Sequence, residues 1–271
     1  MSGIGGTSRP AAAGLLTGKV VLVCGIGPGL GRSLAVRSAQ AGADVVLAAR
    51  TEPRLREVAD EVVALGRSAL AVPTDVTDES SVSNLVERAT ETFGRVDALL
   101  NSAFVQPPQE RLLDTDLDAI RRWNDINVLA SVGLIQKLAP ALTEVSGAVV
   151  LINSMVIRNR LPGFGAYRMN KAALLAAARS LSVELGPLGV RVNSVAPGYI
   201  WAEKVRGHFR RLADRRGVSE QQVYDEITAK VDLRRLPTPD EIADAAVFLA
   251  SDMASGITGQ CLDVTCGETH H

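Results

Sequence analysis

The sequence predicts an α/β fold in which one doubly wound domain holds a central parallel sheet with helices on both of its faces. Short apolar segments rich in Val, Leu and Ala alternate with longer segments of helical periodicity along most of the 271 residues. The apolar segments lack a strict alternation of polar and apolar residues, which is typical of strands covered on both faces. Neither a low-complexity linker nor an internal repeat interrupts this order, so we expect a single domain.

Each predicted element follows from the pattern of its own segment. Runs of β-branched and aliphatic residues predict strands, and apolar residues spaced three and four apart predict the helices between them. The predicted strands cover residues 19–24, 44–49, 69–72, 96–101, 148–153, 190–195 and 259–264. The predicted helices cover residues 30–40, 52–65, 80–93, 114–144, the segment around residues 167 to 171, and 237–251.

Composition and charge exclude several classes of protein. Hydrophobic residues make up 46% and charged residues 22% of the chain, which are ordinary values for globular domains and exclude disorder and fibres. The net charge of −1 gives no bulk attraction to nucleic acid or to an anionic membrane. No apolar stretch is expected to reach the length of a transmembrane helix. Residues 1–17 lack a signal-peptide core and are expected to form a disordered lead-in to a domain at 18–271.

The cysteines and histidines indicate neither a disulfide framework nor a metal site. Cys24, Cys261 and Cys266 are few, odd in number and without metal-ligand spacing. We expect free thiols, no metal and a reducing, cytoplasmic location. His270 and His271 form only a lone pair at the end of the chain.

A glycine-rich turn directly follows the first predicted strand. Glycines at such a turn let the backbone approach a pyrophosphate, and the helix that follows offers free N–H groups and a positive dipole end. Because a strand precedes the turn and a helix follows it, the turn predicts a dinucleotide site in a Rossmann-type domain. Its spacing is G-x-x-x-G-x-G, and the expected contacts are Gly25, Gly29, Leu30 and Gly31.

Tyr167 and Lys171 are candidates for a proton-handling pair. Residues four apart on a helix share one face, so the two side chains can point into the same cleft. A free tyrosine has a pKa of about 10, and a fixed cation nearby favours the phenolate. Ser154 follows an apolar predicted strand, and its hydroxyl can hydrogen-bond the oxygen that Tyr167 protonates. Alone, this pattern is common by chance on ordinary helices.

These features in chain order resemble the classical short-chain dehydrogenase/reductase family over roughly residues 19–267. The glycine turn has the family's spacing, with Cys24 where threonine is usual. The sequence N-S-A-F that starts at Asn101 stands where the family usually has N-N-A-G, so Asn101 and Ala103 match. Phe104 in place of glycine departs from the family, and we expect it to crowd the cleft near the nicotinamide or to wall the substrate.

The resemblance implies an NAD(P)-dependent oxidoreductase that transfers a hydride between a nicotinamide cofactor and a carbonyl or secondary alcohol. It implies a catalytic tetrad of Asn127, Ser154, Tyr167 and Lys171. Tyr167 would be the general acid and base, and Ser154 would hold the reacting oxygen. Lys171 would bind the nicotinamide ribose and lower the pKa of Tyr167. Asn127 would hold a water that connects Lys171 to solvent.

The end of the second predicted strand bears on the choice of cofactor. An acidic residue there would repel a 2′-phosphate, but Arg50 and Thr51 follow the strand instead. Arginine pairs with phosphate through charge-assisted hydrogen bonds, so NADP(H) is favoured and NAD(H) stays possible. The family's remaining cofactor positions fall on Asp75, Val76, Tyr167, Lys171, Pro197, Gly198 and Ile200.

The resemblance also implies a variable substrate lid at about 200–235. An apolar pocket for a bulky substrate is expected from Phe104, Met155, Tyr199 and Trp201. Ala202 stands where the family often has a threonine that touches the carboxamide. The lid's many arginines are expected to form a solvated helix face rather than an anion site. They are Arg206, Arg210, Arg211, Arg215 and Arg216.

Two other functions were weighed against a carbonyl reductase or alcohol dehydrogenase that uses NADP(H). One is an NAD-preferring dehydrogenase, and the other is a catalytically silent dinucleotide-binding sensor or scaffold, against which the complete tetrad argues. Enoyl reductases of the superfamily usually space tyrosine and lysine more widely than Tyr167 and Lys171. The family commonly forms dimers or tetramers through the two long helices near Asn127 and Tyr167, so the resemblance implies a homo-oligomer. It also implies a small-molecule substrate. Neither a nucleic acid nor a membrane is expected as a partner.

Overall fold

A seven-stranded parallel sheet forms the centre of the computed structural model, which describes residues 14–270. The strand order is β3-β2-β1-β4-β5-β6-β7. The strands are β1 (Val20–Cys24), β2 (Asp44–Ala49), β3 (Ala69–Pro73), β4 (Ala98–Asn101), β5 (Ala148–Ile152), β6 (Arg191–Pro197) and β7 (Cys261–Val264). The order reverses between β1 and β4, and the crevice outside the carboxyl ends of strands at such a point is the usual ligand site of doubly wound sheets.

Nine α-helices within the described residues surround the sheet or follow its strands. They are α1 (Leu30–Gln40), α2 (Glu52–Ala64), α3 (Glu79–Phe93), α4 (Leu117–Asn124), α5 (Ala130–Glu144), α6 (Gly165–Leu185), α7 (Glu203–Arg216), α8 (Glu220–Thr228) and α9 (Pro239–Ala250). Side-chain caps fix several starts. Asp78 accepts a hydrogen bond from the backbone of α3, and Thr238 forms a capping box with Glu241 at α9.

The inner strands, from β2 to β6 in the sheet, are buried because successive side chains enter two different apolar layers. Val21 and Val23 of β1 pack in the layer formed with α1, α2 and α9. Val20 and Leu22 pack in the opposite layer, formed with α3, α5 and α6. This division confirms the predicted fold class, and it explains why the strands lack a polar alternation.

The predicted elements agree with the observed ones to within a few residues, and the largest difference concerns the lead-in. Leu16 is fully buried in the first apolar layer, and its backbone N–H donates to the carbonyl of Ala41 at 2.9 Å. The expected lead-in at 1–17 is therefore wrong for residues 14–17, which pack on the domain. The rest of that expectation concerns residues 1–13, which lie outside the described residues.

One helical stretch is longer and more apolar than the sequence prediction allowed. Leu117–Glu144 joins α4 and α5 through a π-helical turn at Asp125–Leu129. Within its 28 residues, an 18-residue window reaches a mean hydropathy of 1.3, so the helix could span a membrane by length and composition alone. The expectation that no stretch approaches that length is wrong here. Core helices pass the same test, and α5 contributes Leu134, Ile135 and Leu138 to the apolar layer against the sheet.

Residues 200–235 form a small helical subdomain beside the sheet. Helices α7 and α8 enclose a cluster that we call the lid core, made of Tyr199, Trp201, Phe209, Ala213, Val223, Tyr224, Val231 and Leu236 together with smaller neighbours. Phe209 is fully buried at its centre. The predicted absence of a strand in this segment is confirmed.

Candidate active site

The glycine turn lies at the carboxyl end of β1, beside the point where the strand order reverses. Gly25 adopts a φ of +96°, and a Cβ atom there would come within 2.4 Å of the backbone nitrogen of Ala103. A Cβ on Gly31 would come within 2.2 Å of the carbonyl oxygen of Gly25. Both positions exclude any side chain, because the turn packs against its own backbone and against the segment after β4.

The middle of the same turn faces open space. Nothing lies within 4 Å of a Cβ placed on Gly27, and the nearest atom to one on Gly29 is the Ala202 Cβ at 3.9 Å. Gly29 begins α1 without any side-chain cap. The uncapped start of an 11-residue helix beside an open glycine backbone fits a pyrophosphate group.

The carboxyl end of β2 presents Arg50 and Thr51 beside this turn. Arg50 is exposed, and Thr51 precedes α2 without using its hydroxyl as a cap. Arg32, just after the glycine turn, is instead held by a bidentate pair with Glu61 of α2. Asp75 accepts hydrogen bonds from the backbone and hydroxyl of Thr77, which hold the pKa of its carboxyl below the usual range.

The segment after β4 is fixed by buried hydrogen bonds. Asn101 is buried, donates to the Ser131 hydroxyl at 3.0 Å and accepts from the backbone of Ala103 at 3.1 Å. The Ser102 hydroxyl donates to the carbonyl oxygens of Cys24 and Gly25, each at 3.1 Å. These bonds join the segment to the glycine turn and direct Phe104 toward α6.

Tyr167 and Ser154 meet beyond the carboxyl end of β5. The Ser154 hydroxyl lies close enough to the phenol of Tyr167 to favour the phenolate, but burial is the larger effect and raises the pKa of Tyr167. The expected lowering of that pKa by Lys171 is therefore not observed in the protein without ligand. The backbone N–H of Val156 holds the Ser154 oxygen at 3.2 Å.

Lys171 lies one helical turn after Tyr167, on the same side of α6. Its side chain is buried, and its Nζ donates to the carbonyl oxygen of Ile152 at 2.7 Å. Burial without a carboxylate partner lowers the pKa of this ammonium to about 7. Lys171 is therefore close to the point at which it gives up its proton at neutral pH.

Two asparagines that the sequence did not single out brace this pair. Asn153 accepts from the backbone of Ser154 at 2.9 Å and donates to the carbonyl of Lys171 at 3.2 Å, so it ties β5 to α6. Asn170 accepts from the side chain of Asn127 at 3.1 Å. Asparagine is common at turns, and only its position beside the two candidate residues could have indicated these roles.

Asn127 lies in the π-helical turn between α4 and α5. Its side chain exchanges two hydrogen bonds of 2.8 Å with the backbone of Val105. It therefore positions the segment after β4, and its side chain makes no direct hydrogen bond with Lys171 among the contacts of residues 14–270. Single π turns inside α-helices are frequent at functional sites.

The ring of Phe104 covers the Tyr167–Lys171 pair. Its centroid lies 5.5 Å from the ring centroid of Tyr167 and 4.7 Å from the Nζ of Lys171. Phe164, which the sequence analysis missed, packs against Tyr167, with its ring centroid 6.4 Å from that of Tyr167. The departure from the family's glycine therefore places an aromatic wall directly against the candidate catalytic pair.

The predicted substrate pocket is only partly assembled. Met155 is buried beside Ser154. Tyr199 and Trp201 instead pack in the lid core, with Trp201 4.5 Å from Tyr224 and 5.6 Å from Phe209 between ring centroids. Both rings serve the stability of the lid, because their main contacts are with α7 and α8 rather than with Phe104.

Pro197 ends β6, and Gly198 begins the segment that follows it. A Cβ on Gly198 would come within 3.0 Å of the Glu268 carboxylate, so the C-terminal segment packs against this turn. Ile200 packs at the edge of the first apolar layer. Ala202, near Gly29, has no hydroxyl with which to replace the family's threonine.

Comparisons with known proteins agree with this geometry. A family model described as Enoyl-(Acyl carrier protein) reductase matches residues 25–269. The 7alpha-hydroxysteroid dehydrogenase of Escherichia coli strain K12 is 33% identical over 253 residues, which cover 93% of this chain and 94% of the relative. The L-rhamnose 1-dehydrogenase (NAD(P)(+)) of Sphingomonas sp. strain SKA58 is 34% identical over 260 residues, covering 93% and 97%.

A solved structure gives the same result in three dimensions. It is a 7 alpha-hydroxysteroid dehydrogenase complexed with NADH and 7-oxo glycochenodeoxycholic acid, with a TM-score of 0.84 and 32% identity. The match covers 95% of this chain and 97% of that one. This match over nearly the whole chain favours an enzyme over a silent binder. The chain belongs to the classical short-chain dehydrogenase/reductase family and is a nicotinamide-dependent oxidoreductase acting on CH–OH or C=O groups.

Proposed function

We propose that this enzyme interconverts a ketone and a secondary alcohol with NADP(H) as its favoured cofactor, and that Tyr167 is its general acid and base. The observation that carries the proposal is the placement of Ser154 beside the Tyr167 phenol, with the buried Lys171 one helical turn further along α6. The family model is described by an enoyl reduction, but the close spacing of Tyr167 and Lys171 favours carbonyl chemistry.

The proposed mechanism assigns one task to each side chain. A bound nicotinamide supplies hydride chemistry, and the protein supplies position and charge. In reduction, the Tyr167 hydroxyl protonates the substrate oxygen while Ser154 holds that oxygen. Lys171 binds the ribose hydroxyls and, as a cation, offsets the burial that raises the Tyr167 pKa. Asn127 and Asn153 keep these groups in register through their backbone hydrogen bonds.

The remaining cofactor contacts are proposed for residues at the carboxyl ends of the strands. The glycine turn would hold the pyrophosphate, and Asp75 with Val76 would lie by the adenine. The segments after β4 and β6 would hold the nicotinamide half through Asn101, Ala103, Pro197, Gly198 and Ile200.

Arg50 and Thr51 support the preference for NADP(H). Both polar groups are available, since Arg50 is exposed and the Thr51 hydroxyl does not cap α2. Relatives differ in their cofactors, because one structure contains NADH and the name of another relative gives NAD(P)(+). The preference is therefore argued from these two residues alone.

We further propose a cytoplasmic homo-oligomer, a dimer or tetramer. Cys24, Cys261 and Cys266 are free thiols, which suits a reducing compartment. Exposed apolar side chains on the long helices support an interface there: Leu117, Leu129, Met169 and Val183.

A spectrophotometric screen of ketones, quinones and secondary alcohols with both cofactors in parallel tests the proposal. We expect turnover with NADPH or NADP⁺ at a higher kcat/KM than with NADH or NAD⁺. Tyr167→Phe should lower kcat by about 100- to 10,000-fold, because it removes the proton donor, and should keep cofactor affinity. Retained turnover in this variant would refute the assignment of Tyr167, and equal use of both cofactors would refute the preference.

A further inference from the structure

We propose that Lys204 binds a carboxylate of the substrate, so that this enzyme acts on a carbonyl or alcohol compound that carries an acid group. The inference rests on the proposed function and names the substrate class of the same site. Its starting point is the position of Lys204, the second residue of α7, where the lid faces the segment after β4.

Lys204 reaches across the mouth of the cleft to the wall of the catalytic pair. Its Nζ lies 5.6 Å from the ring centroid of Phe104 and 3.3 Å from the Oε1 of Gln106. The same Phe104 ring contacts Tyr167 and lies 4.7 Å from the Nζ of Lys171. One aromatic ring therefore links the ammonium of the lid to the residues that we propose for proton transfer.

Three arginines of the lid pair with carboxylates, whereas Lys204, like Arg211 and Lys230, has no such pair among the described residues. Lys204 is distinguished by its position over the Phe104 ring. Arg206 pairs with Glu220, Arg210 with Glu203, and Arg216 with Glu226. Among the residues from 14 to 270, Lys204 has no ion pair, although Glu203 is its neighbour in sequence.

The surroundings of Lys204 disfavour its charge until an anion arrives. Partial burial lowers the pKa of its ammonium, and the first turn of α7 places this cation at the positive end of a helix dipole. A carboxylate beside Lys204 would supply the missing counter-charge and a charge-assisted hydrogen bond. A substrate could place its carbonyl at Tyr167 and its acid group beyond the Phe104 ring, beside Lys204.

A phosphate of the cofactor is the other anion that could reach this region. Ala202 lies near Gly29, so the segment before α7 passes the glycine turn. Lys204 itself contacts Phe104 and Gln106, which lie after β4 on the side of Tyr167. These contacts favour the substrate as the source of the anion. Measuring cofactor affinity in Lys204 variants distinguishes a substrate carboxylate from a cofactor phosphate.

The test compares matched acids and amides in the holoenzyme. Initial rates are measured for 4-acetylbenzoate against 4-acetylbenzamide, and for 4-oxopentanoate against its amide, at saturating cofactor. The variants are K204M, K204R and the lid control K230M, because Lys230 is an exposed lysine of the same subdomain. Cofactor affinity is measured separately by fluorescence titration.

We expect the wild-type enzyme to prefer the acids by about tenfold in kcat/KM. K204M should abolish this preference through a higher KM for the acids, K204R should restore most of it, and K230M should leave it unchanged. Turnover of the amides and cofactor affinity should be the same in all four proteins.

Equal kcat/KM for acids and amides, no turnover of any acid, or weaker cofactor binding in K204M would each overturn the inference. Turnover of neutral ketones that depends on Tyr167 would keep the proposed function intact in all of these cases. Loss of that turnover, by contrast, would refute the proposed function itself.

Discussion

The candidate catalytic residues and the lid are stabilised in different ways. Ser154, Tyr167 and Lys171 lie between β5 and α6, where backbone carbonyls and buried asparagines hold the surrounding residues. The lid has its own aromatic core around Phe209, and its surface carries ion pairs between exposed side chains. The candidate catalytic residues are held in place by the central sheet, whereas the lid is stabilised mainly by its own aromatic core.

With the roles proposed above, this difference would separate proton transfer at Tyr167 from recognition of the substrate by the lid. Proton transfer requires oxygen and nitrogen atoms fixed within a few tenths of an ångström, and hydrogen bonds to a buried sheet provide that precision. A lid with an independent core can change its sequence without moving Tyr167. Substitutions in each region, and the pH dependence of stability, test how independent the two regions are.

Phe209→Ala should have the largest effect, a loss of about 3–5 kcal/mol in the stability of the lid, because it empties the centre of the lid core. Hydrogen exchange should become faster in α7 and α8 and stay unchanged in β5 and α6. Val63→Ala, a truncation at an exposed position on α2, is the control. Faster exchange in β5 to the same extent would show that the two regions unfold together.

The pH dependence of stability should report on Lys171. Its pKa is about 7 in the folded protein and 10.5 in the unfolded chain, so between these values the unfolded state binds more protons. Stability of the ligand-free protein should therefore rise with pH, by up to about 2 kcal/mol between pH 7 and 9. Urea unfolding measures the rise, which Lys171→Met should remove. A rise of the same size in that variant would assign it to other groups.

Arg216→Ala should have the smallest effect. The pair with Glu226 is exposed on the lid surface, where solvent screens the charges, so we expect a loss below about 1 kcal/mol. Thermal unfolding at low and high salt measures it, and the wild-type and variant proteins should differ less at high salt. A loss as large as that of Phe209→Ala would mean that ion pairs, rather than the aromatic core, stabilise the lid.

The sequence predicted the parts of the protein that depend on local pattern. The apolar runs located every strand of the sheet, and the spacing of Tyr167 and Lys171 placed them on one helical face. The glycine turn was recognisable because its flexibility is needed within a few residues of β1. Such features are encoded by neighbouring residues, so they can be predicted without knowledge of the tertiary structure.

The features that the sequence left unpredicted depend on contacts between distant segments. Nothing in the segments around Tyr199 and Trp201 distinguishes a pocket wall from a lid core, because both are apolar environments. Asn153 and Asn170 brace the site only after α6 has packed on β5. The burial that raises the pKa of Tyr167 is likewise a property of the assembled site.

The close approach of Gly25 to Ala103 limits how this protein can be recombined with its relatives. The glycine turn and the segment after β4 pack so closely that no carbon atom could be added between them at Gly25. In a chimera whose junction lies between these two segments, the glycine turn of one parent would have to pack against the segment after β4 of another. Domain exchange should therefore keep both segments from one parent, even though more than 70 residues lie between them in the chain.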